Sequence, residues 1–180
     1  MEGRYAPDFW LHLEAKAKAS LADLDDFLRE VWLECCGHMS AFDIGGASFD
    51  SSGKGGMVWG DEDSAAREEA MAVPLGHVLR LGLKFRYQYD FGSTTELALR
   101  VIGELESNAG KEPVRLLARN NPPPFVCDEC GMPAAHICTD CAGSGGGWLC
   151  AACVSEHGCG EEMLLPVVNS PRVGVCGYTG

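Results

Sequence analysis

The chain is short of positive charge, with 14 Lys and Arg against 26 Asp and Glu and a formal net charge of −12. A surface that tracks phosphate needs clustered cations, so this balance excludes unaided electrostatic binding to nucleic acid or to an anionic membrane. Long hydrophobic runs are missing as well. Nothing approaches the ~18 apolar residues of a membrane span, and Met1 to Asp8 lack the basic start and apolar run of a secretory signal. The expectation is a soluble, cytoplasmic protein without a membrane role. Recognised catalytic patterns are absent too: there is no Gly-x-Ser-x-Gly elbow and no paired His/carboxylate metal motif. Gly53-Lys54-Gly55-Gly56 lacks the spacing and the Lys-Ser/Thr ending of a phosphate-binding loop, so it reads as a turn.

What is abundant is cysteine, with 10 in 180 residues, and glycine, with 23. A reducing compartment disfavours a disulfide framework, so the cysteine spacing is read first for metal. Cys35 and Cys36 stand in the first half, whereas the remaining eight lie between Cys127 and Cys176.

The first part of the chain has an α+β pattern. A strand is expected over residues 9–15, and Ser20 is a helix N-cap candidate. Leu21, Leu24, Phe27, Leu28, Val31, Trp32 and Cys35 follow at helical intervals, with Asp23, Asp25 and Asp26 near the positive helix start. Gly37 stops this helix. A strand is expected from His38 to Ile44, closed by Gly45-Gly46, and then an exposed excursion from Ser51 to about Met71. Pro74 to Leu81 suggests a short helix or turn. Lys84 to Asp90 and Thr94 to Leu105 form a hairpin around Gly92-Ser93, with Phe85, Tyr87 and Tyr89 on one face, and Val114 to Ala118 adds a strand. Trp10, Trp32 and Tyr87 are accounted for by core packing.

Asn120-Asn121-Pro122-Pro123-Pro124 is the best boundary, because consecutive prolines hold the backbone extended. The resulting division is an α+β domain with antiparallel strands over 1–119, a proline-rich hinge over 120–126, a zinc module over 127–163 and a tail over 164–180 that can fold back on the first domain.

The module carries Cys127, Cys130, Cys138, Cys141, Cys150, Cys153, His157 and Cys159. A two-residue gap lets a tight turn aim both thiolates at one tetrahedral ion, and Gly131 supplies the backbone freedom of such a turn. Eight ligands fill two four-coordinate zinc sites with no open position, which is the pattern of structural zinc. Zinc then replaces the hydrophobic core that so short a segment cannot build. Two pairings remain open. Sequential pairing joins Cys127, Cys130, Cys138 and Cys141, and leaves Cys150, Cys153, His157 and Cys159 for the other ion. Cross-braced pairing joins the first pair to the third and the second to the fourth. Cys153 and His157, four apart, would share a face if a helix ran through both. His136 is a spare candidate beside Cys138. Cys176 reads as packed or free, and Cys35 and Cys36 as small hydrophobes closing the first helix.

Pro133 to Cys141, Leu149 to Cys153 and Glu156-His157 resemble the B-box, a zinc module of about 33 residues here. That resemblance implies interleaved sites and a role in protein contacts, and it favours the cross-brace. The chain departs from the pattern in the Gly143 to Gly147 insertion and in ending on Cys159 where a second histidine is usual.

Tyr87-Gln88-Tyr89-Asp90-Phe91-Gly92-Ser93, together with Leu21 to Leu28 and His38 to Phe42, resembles a prokaryotic family named after open reading frame three of a root-inducing plasmid. The likeness runs over about residues 5–118. It implies a compact α+β fold and hints at mobile elements, but no particular activity. Typical members continue the Tyr-Asp-Phe-Gly segment with Asp, Trp and His. Ser93-Thr94-Thr95-Glu96-Leu97 stands there instead, so a site built on that His and Trp is missing here.

Asp90, Glu96, His38 and His77 are the polar candidates of the first domain, yet nothing in their spacing assembles acid–base chemistry. Asp90 reads as a turn organiser, and the two histidines as hydrogen-bonded or surface residues. The expected function is that of a non-enzymatic protein with two structural zinc ions that binds a protein partner. The alternatives are nucleic-acid association and a metal-dependent enzyme whose zinc keeps a water because Cys159 fails to bind. Against nucleic acid, residues 111–180 hold four Lys/Arg and seven Asp/Glu.

Overall fold

The computed structural model describes residues 1–52, 71–106 and 110–180. Most of the expected excursion over 51–71 lies outside the described residues, but its two ends do not fit an exposed segment. Ser51 is buried, its Oγ accepting from the Ser40 amide at 2.9 Å, and Met71 belongs to the core.

Antiparallel sheets dominate, with few helices and a cysteine-rich C-terminal region, so the class is α+β. The main sheet has the order β1-β6-β5-β3-β4. Its strands are β1 (Glu2–Gly3), β3 (Ser40–Ile44), β4 (Ala47–Asp50), β5 (Lys84–Tyr89) and β6 (Thr95–Arg100). In β5 the period of two is plain: Phe85, Tyr87 and Tyr89 are buried while Lys84 and Arg86 face outward. Gly45 and Gly46 both have positive φ, 60° and 88°, the geometry of a two-residue hairpin turn. They therefore do more than end β3; they fold it onto β4, a strand that the alternation alone did not reveal.

β2 (Leu11–Ala15) pairs with β7 (Val114–Arg119) in a second, two-stranded sheet. Its outward face explains Trp10, which core packing does not: Phe9 and Leu11 point inward, so Trp10 is left 36% exposed with its ring near His12. Trp32 and Tyr87 are fully buried. β6 ends at Arg100, short of the expected Leu105, and Ile102 and Leu105 are exposed.

Helix α1 (Leu21–Leu28) starts in a reciprocal cap. The Asp23 amide donates to Ser20 Oγ at 3.1 Å, and the Ser20 amide donates to Asp23 Oδ2 at 2.7 Å. The expected single helix to Cys35 is shorter. A wider turn over Arg29–Leu33 replaces its end, closed by the Glu34 amide donating to the Arg29 carbonyl at 2.8 Å, five residues back. Glu34 then accepts from the Gly37 amide at 2.6 Å, the Arg29 guanidinium at 2.8 Å and the Tyr89 hydroxyl at 3.1 Å. These bonds pin the turn that carries Cys35, Cys36 and His38.

Beneath that turn is Asp25, wholly buried on α1. Its carboxylate accepts from Arg29 Nε at 2.9 Å, Ser40 Oγ at 2.6 Å and the Tyr87 hydroxyl at 2.7 Å. Burial and the adjacent Asp25 carboxylate both push the Tyr87 hydroxyl pKa upward, so it stays a donor. A short helix α2 (Leu75–Val78) packs Leu75 into the core, with His77 exposed.

The proline segment is tied down at both ends. The Asn120 amide donates to the Trp10 carbonyl at 3.1 Å, and Trp10 N donates back to Asn120 Oδ1 at 3.0 Å. Phe125 stacks on Phe9 of the first domain at 6.3 Å and on Trp148 of the cysteine-rich region at 4.0 Å, the latter nearly parallel. The tail returns to the first domain: Trp32 Nε1 donates to the Asn169 carbonyl at 3.0 Å, and Ser170 Oγ donates to the Trp32 carbonyl at 2.7 Å.

Candidate metal centre

The cysteine-rich region is organised on a three-stranded sheet, β10-β8-β9, formed by β8 (His136–Cys138), β9 (Trp148–Leu149) and β10 (Leu164–Pro166). In the β8–β9 ladder His136 faces Leu149 and Ile137 faces Trp148. The chain therefore leaves β8 through Cys138 at one end of the hairpin and leaves β9 through Cys150 at the other. This separation keeps the second and third cysteine pairs off a common ion.

The two remaining pairs come to opposite ends. The Asp128 amide donates to the Trp148 carbonyl at 2.8 Å, which lays the first turn along β9 near Cys150. β10 pairs with β8 in a register that sets Leu164 opposite Cys138, so the segment before it returns His157 and Cys159 to that end. The outcome is two four-ligand groups, Cys127, Cys130, Cys150 and Cys153, and Cys138, Cys141, His157 and Cys159. Within each group all ligand atoms lie within 4.8 Å of one another.

The spacing is that of a tetrahedron. Ions bound about 2.3 Å from each sulfur hold neighbouring sulfurs roughly 3.8 Å apart, whereas a disulfide holds them at about 2.05 Å. Cys130 Sγ lies 3.6 Å from the sulfurs of both Cys150 and Cys153. Cys141 Sγ lies 3.6 Å from His157 Nε2 and 3.8 Å from Cys159 Sγ. Both groups could hold a metal ion.

Local backbone lowers the thiol pKa of Cys127 and of Cys138. Amides of Cys150, Cys130 and Glu129 converge on Cys127 and, against its burial, hold the thiol at about 6. Burial raises the Cys138 thiol, but the Cys141 amide and His157 outweigh it and bring the group to about 7. Cys159 shows the opposite effect. The neighbouring sulfurs of Cys138 and Cys141 push its thiol up to about 12.

Cys153 and His157 do not share a site. The 3-10 turn over Cys153–Glu156 stops before His157, which is extended with φ −73° and ψ 131°. That break lets one residue face each group. His136 stands on β8 outside both groups, its Nδ1 buried without a hydrogen-bond partner among the described residues.

The glycine insertion has a structural use. Gly147 has φ 95°, and a Cβ there would lie 2.8 Å from the Cys138 carbonyl oxygen and 2.9 Å from Cys141 Cβ. Its amide and that of Trp148 both donate to Asp128 Oδ2, at 2.7 and 2.9 Å. Gly147→Ala is expected to destabilise the region by roughly 1–3 kcal/mol through backbone strain and overlap. Zinc-chelator competition with the variant and the parent chain checks this; equal metal retention would count against it.

In the first domain, Asp90 organises its turn, accepting from the amides of Gly92 at 3.0 Å and Ser93 at 3.2 Å. It also accepts from Arg172 of the tail at 2.7 Å, and that guanidinium holds the Asp90 carboxyl at about 2 against its burial. Glu96 pairs with Arg4 and lies 3.6 Å from Arg86.

Cys36 differs from the expectation of a buried small hydrophobe, whereas Cys35 packs partly against the main core and Cys176 is a free thiol. Cys36 and Cys176 are exposed, Cys35 is half-buried, and all three gather with His38. The sequence signal was only the local Cys-Cys-Gly-His run, because the fourth member is 138 residues from His38.

Among the described residues no helix is long and apolar enough to cross a membrane. The fold and the clustered ligands define an α+β protein with a cysteine-rich region able to hold metal. More particularly, the chain belongs to the plasmid pRiA4b ORF-3-like protein family, whose model matches residues 3–136. The match extends beyond the expected limit near residue 118, through the proline segment to the start of β8. No curated protein and no solved structure matches the chain.

Proposed function

We propose that this is a non-enzymatic, zinc-stabilised interaction protein whose residues 127–159 form a B-box-like, cross-braced module with two structural zinc ions. The observation that carries this reading is the pair of interleaved four-ligand groups at tetrahedral spacing. Thiolate and imidazole sets of this kind suit zinc, and four protein ligands leave no position for a reacting water. Cys127, Cys130, Cys150 and Cys153 would hold one ion. Cys138, Cys141, His157 and Cys159 would hold the other.

A protein partner fits the surface better than nucleic acid does. Val126 and Met132, on either side of the first cysteine turn, are 55% and 60% exposed, and the chain's net charge is −12. A reducing, cytoplasmic setting belongs to the same reading, since it keeps the thiols available for metal.

The test is zinc content by native mass spectrometry of the full chain, beside Cys130→Ser and Cys141→Ser. Each variant is expected to lose at least one ion, and unchanged zinc in either would overturn the assignment of that group. A gel shift with duplex DNA at about 50 mM salt is expected to show no retention. Retention there would replace protein interaction with nucleic-acid association.

A further inference from the structure

A third group of soft ligands lies outside the cysteine-rich region. Cys35, Cys36 and His38 come from the turn after the first helix, and Cys176 from the C-terminal tail. Their four ligand atoms all lie within 4.8 Å of one another, the same closeness found in the two groups of the module. His38 Nε2 is 3.2 Å from Cys176 Sγ.

Both contributing segments are bent toward this point by unusual backbone. Gly37 has φ 70°, which turns the chain between Cys36 and His38, and its amide is held by Glu34 Oε1 at 2.6 Å. On the tail Cys176 itself has φ 50°, a conformation that a residue with a Cβ seldom adopts. Gly174 and Gly177 beside it, with φ 76° and 68°, complete a tight loop that presents the Cys176 side chain to the first domain.

Neighbouring side chains hold members of the group in place. Arg172 Nη2 lies 3.5 Å from Cys35 Sγ while the same guanidinium binds Asp90 and stacks over Tyr89 at 4.8 Å. The His38 ring meets the Tyr89 ring edge-on at 5.8 Å, and its Nε2 is 3.7 Å from Asp90 Oδ2. Cationic and carboxylate neighbours thus stand around three thiols and one imidazole.

We infer that Cys35, Cys36, His38 and Cys176 form a third metal site, a Cys3His centre for a zinc-type ion that clasps the C-terminal tail to the first domain. Three sulfurs and one imidazole nitrogen select a soft or borderline ion with tetrahedral geometry over magnesium or calcium, which take oxygen ligands. Binding displaces thiol protons to solvent and needs no oxidant. The site joins residues far apart in sequence, so its effect is on tail docking, whereas the two groups of the module order a local segment. It stands independently of the module's proposed role, because the two share no ligand.

The experiment uses the full chain, purified under reducing conditions and loaded with zinc. Native mass spectrometry of the parent chain and of Cys176→Ser counts the ions. Three ions falling to two in the variant supports the site. Two ions in both, or three in both, overturns it while leaving the module's two sites to be judged by their own variants. A second measurement needs no variant: iodoacetamide labelling of the parent chain, read peptide by peptide. The thiols of Cys36 and Cys176 are exposed, so they should label slowly with zinc bound and at least tenfold faster after chelation. Rapid labelling before chelation overturns the site. So does protection that only a reductant removes, which would identify a disulfide.

Discussion

Stripping metal from the full chain with a chelator is expected to unfold residues 127–163 while the first-domain core persists. The reason is how little else holds that region. Its buried apolar cluster comprises Cys127, Leu149 and Cys150, with Cys153, Val154 and Leu164 packed partly against it. Two of the three buried members belong to the first four-cysteine group. Zinc ligation in small modules supplies on the order of 10 kcal/mol, far more than such a cluster can replace. The loss should be shared between the sites, because the segments alternate along the hairpin and neither group is built from one continuous stretch. Cys130→Ser should therefore loosen the Cys138 group as well as its own. Limited proteolysis reports new cuts within 127–163, and Trp148 emission shifts as its stack on Phe125 opens. A region that resists protease equally well with and without metal would refute the expectation.

Arg172→Met is expected to cost about 3–5 kcal/mol of global stability, the usual consequence of removing one partner from a buried ion pair. Arg172 is completely buried although it sits in the tail. Its guanidinium donates to Asp90 Oδ2 at 2.7 Å and to the Ser93 carbonyl and Thr95 Oγ1, both at 3.0 Å. The substitution preserves the apolar stem but leaves a buried carboxylate without its cation. Urea denaturation measures the loss. Adding Asp90→Asn to Arg172→Met should recover part of it, since the uncompensated charge is then gone. A loss below 1 kcal/mol, or strict additivity of the two substitutions, would show that the pair contributes little.

This pair also alters the meaning of the Tyr87 to Ser93 segment. Local reading assigned Asp90 to a turn, and it does accept from the amides of Gly92 and Ser93. Its second oxygen engages a residue 82 positions away. Nothing in a Pro-Arg-Val stretch near the C-terminus signals a cation that will be wholly enclosed; only the return of the tail across the first domain supplies the enclosure. The Trp32 indole and Ser170 hydroxyl bonds fix that return.

Local chemistry determined a good deal. The Ser20 cap, the alternating aromatics of β5 and the two-residue cysteine gaps each concern neighbours a few residues apart, where helix, strand and turn geometry dictate the outcome directly. The two members of each Cys-x-x-Cys pair stay together in one group for the same reason, since a single tight turn joins them. The α+β class follows from those short-range patterns. Tertiary structure alone decided which pairs meet, because that depends on the β8–β9 hairpin sending Cys138 and Cys150 to opposite ends. It also decided the break after Glu156 that separates His157 from Cys153. The meeting of Cys35, Cys36 and His38 with Cys176 lies furthest from sequence reading. Contacts between distant segments depend on the summed packing of everything between them, and no local spacing encodes that sum.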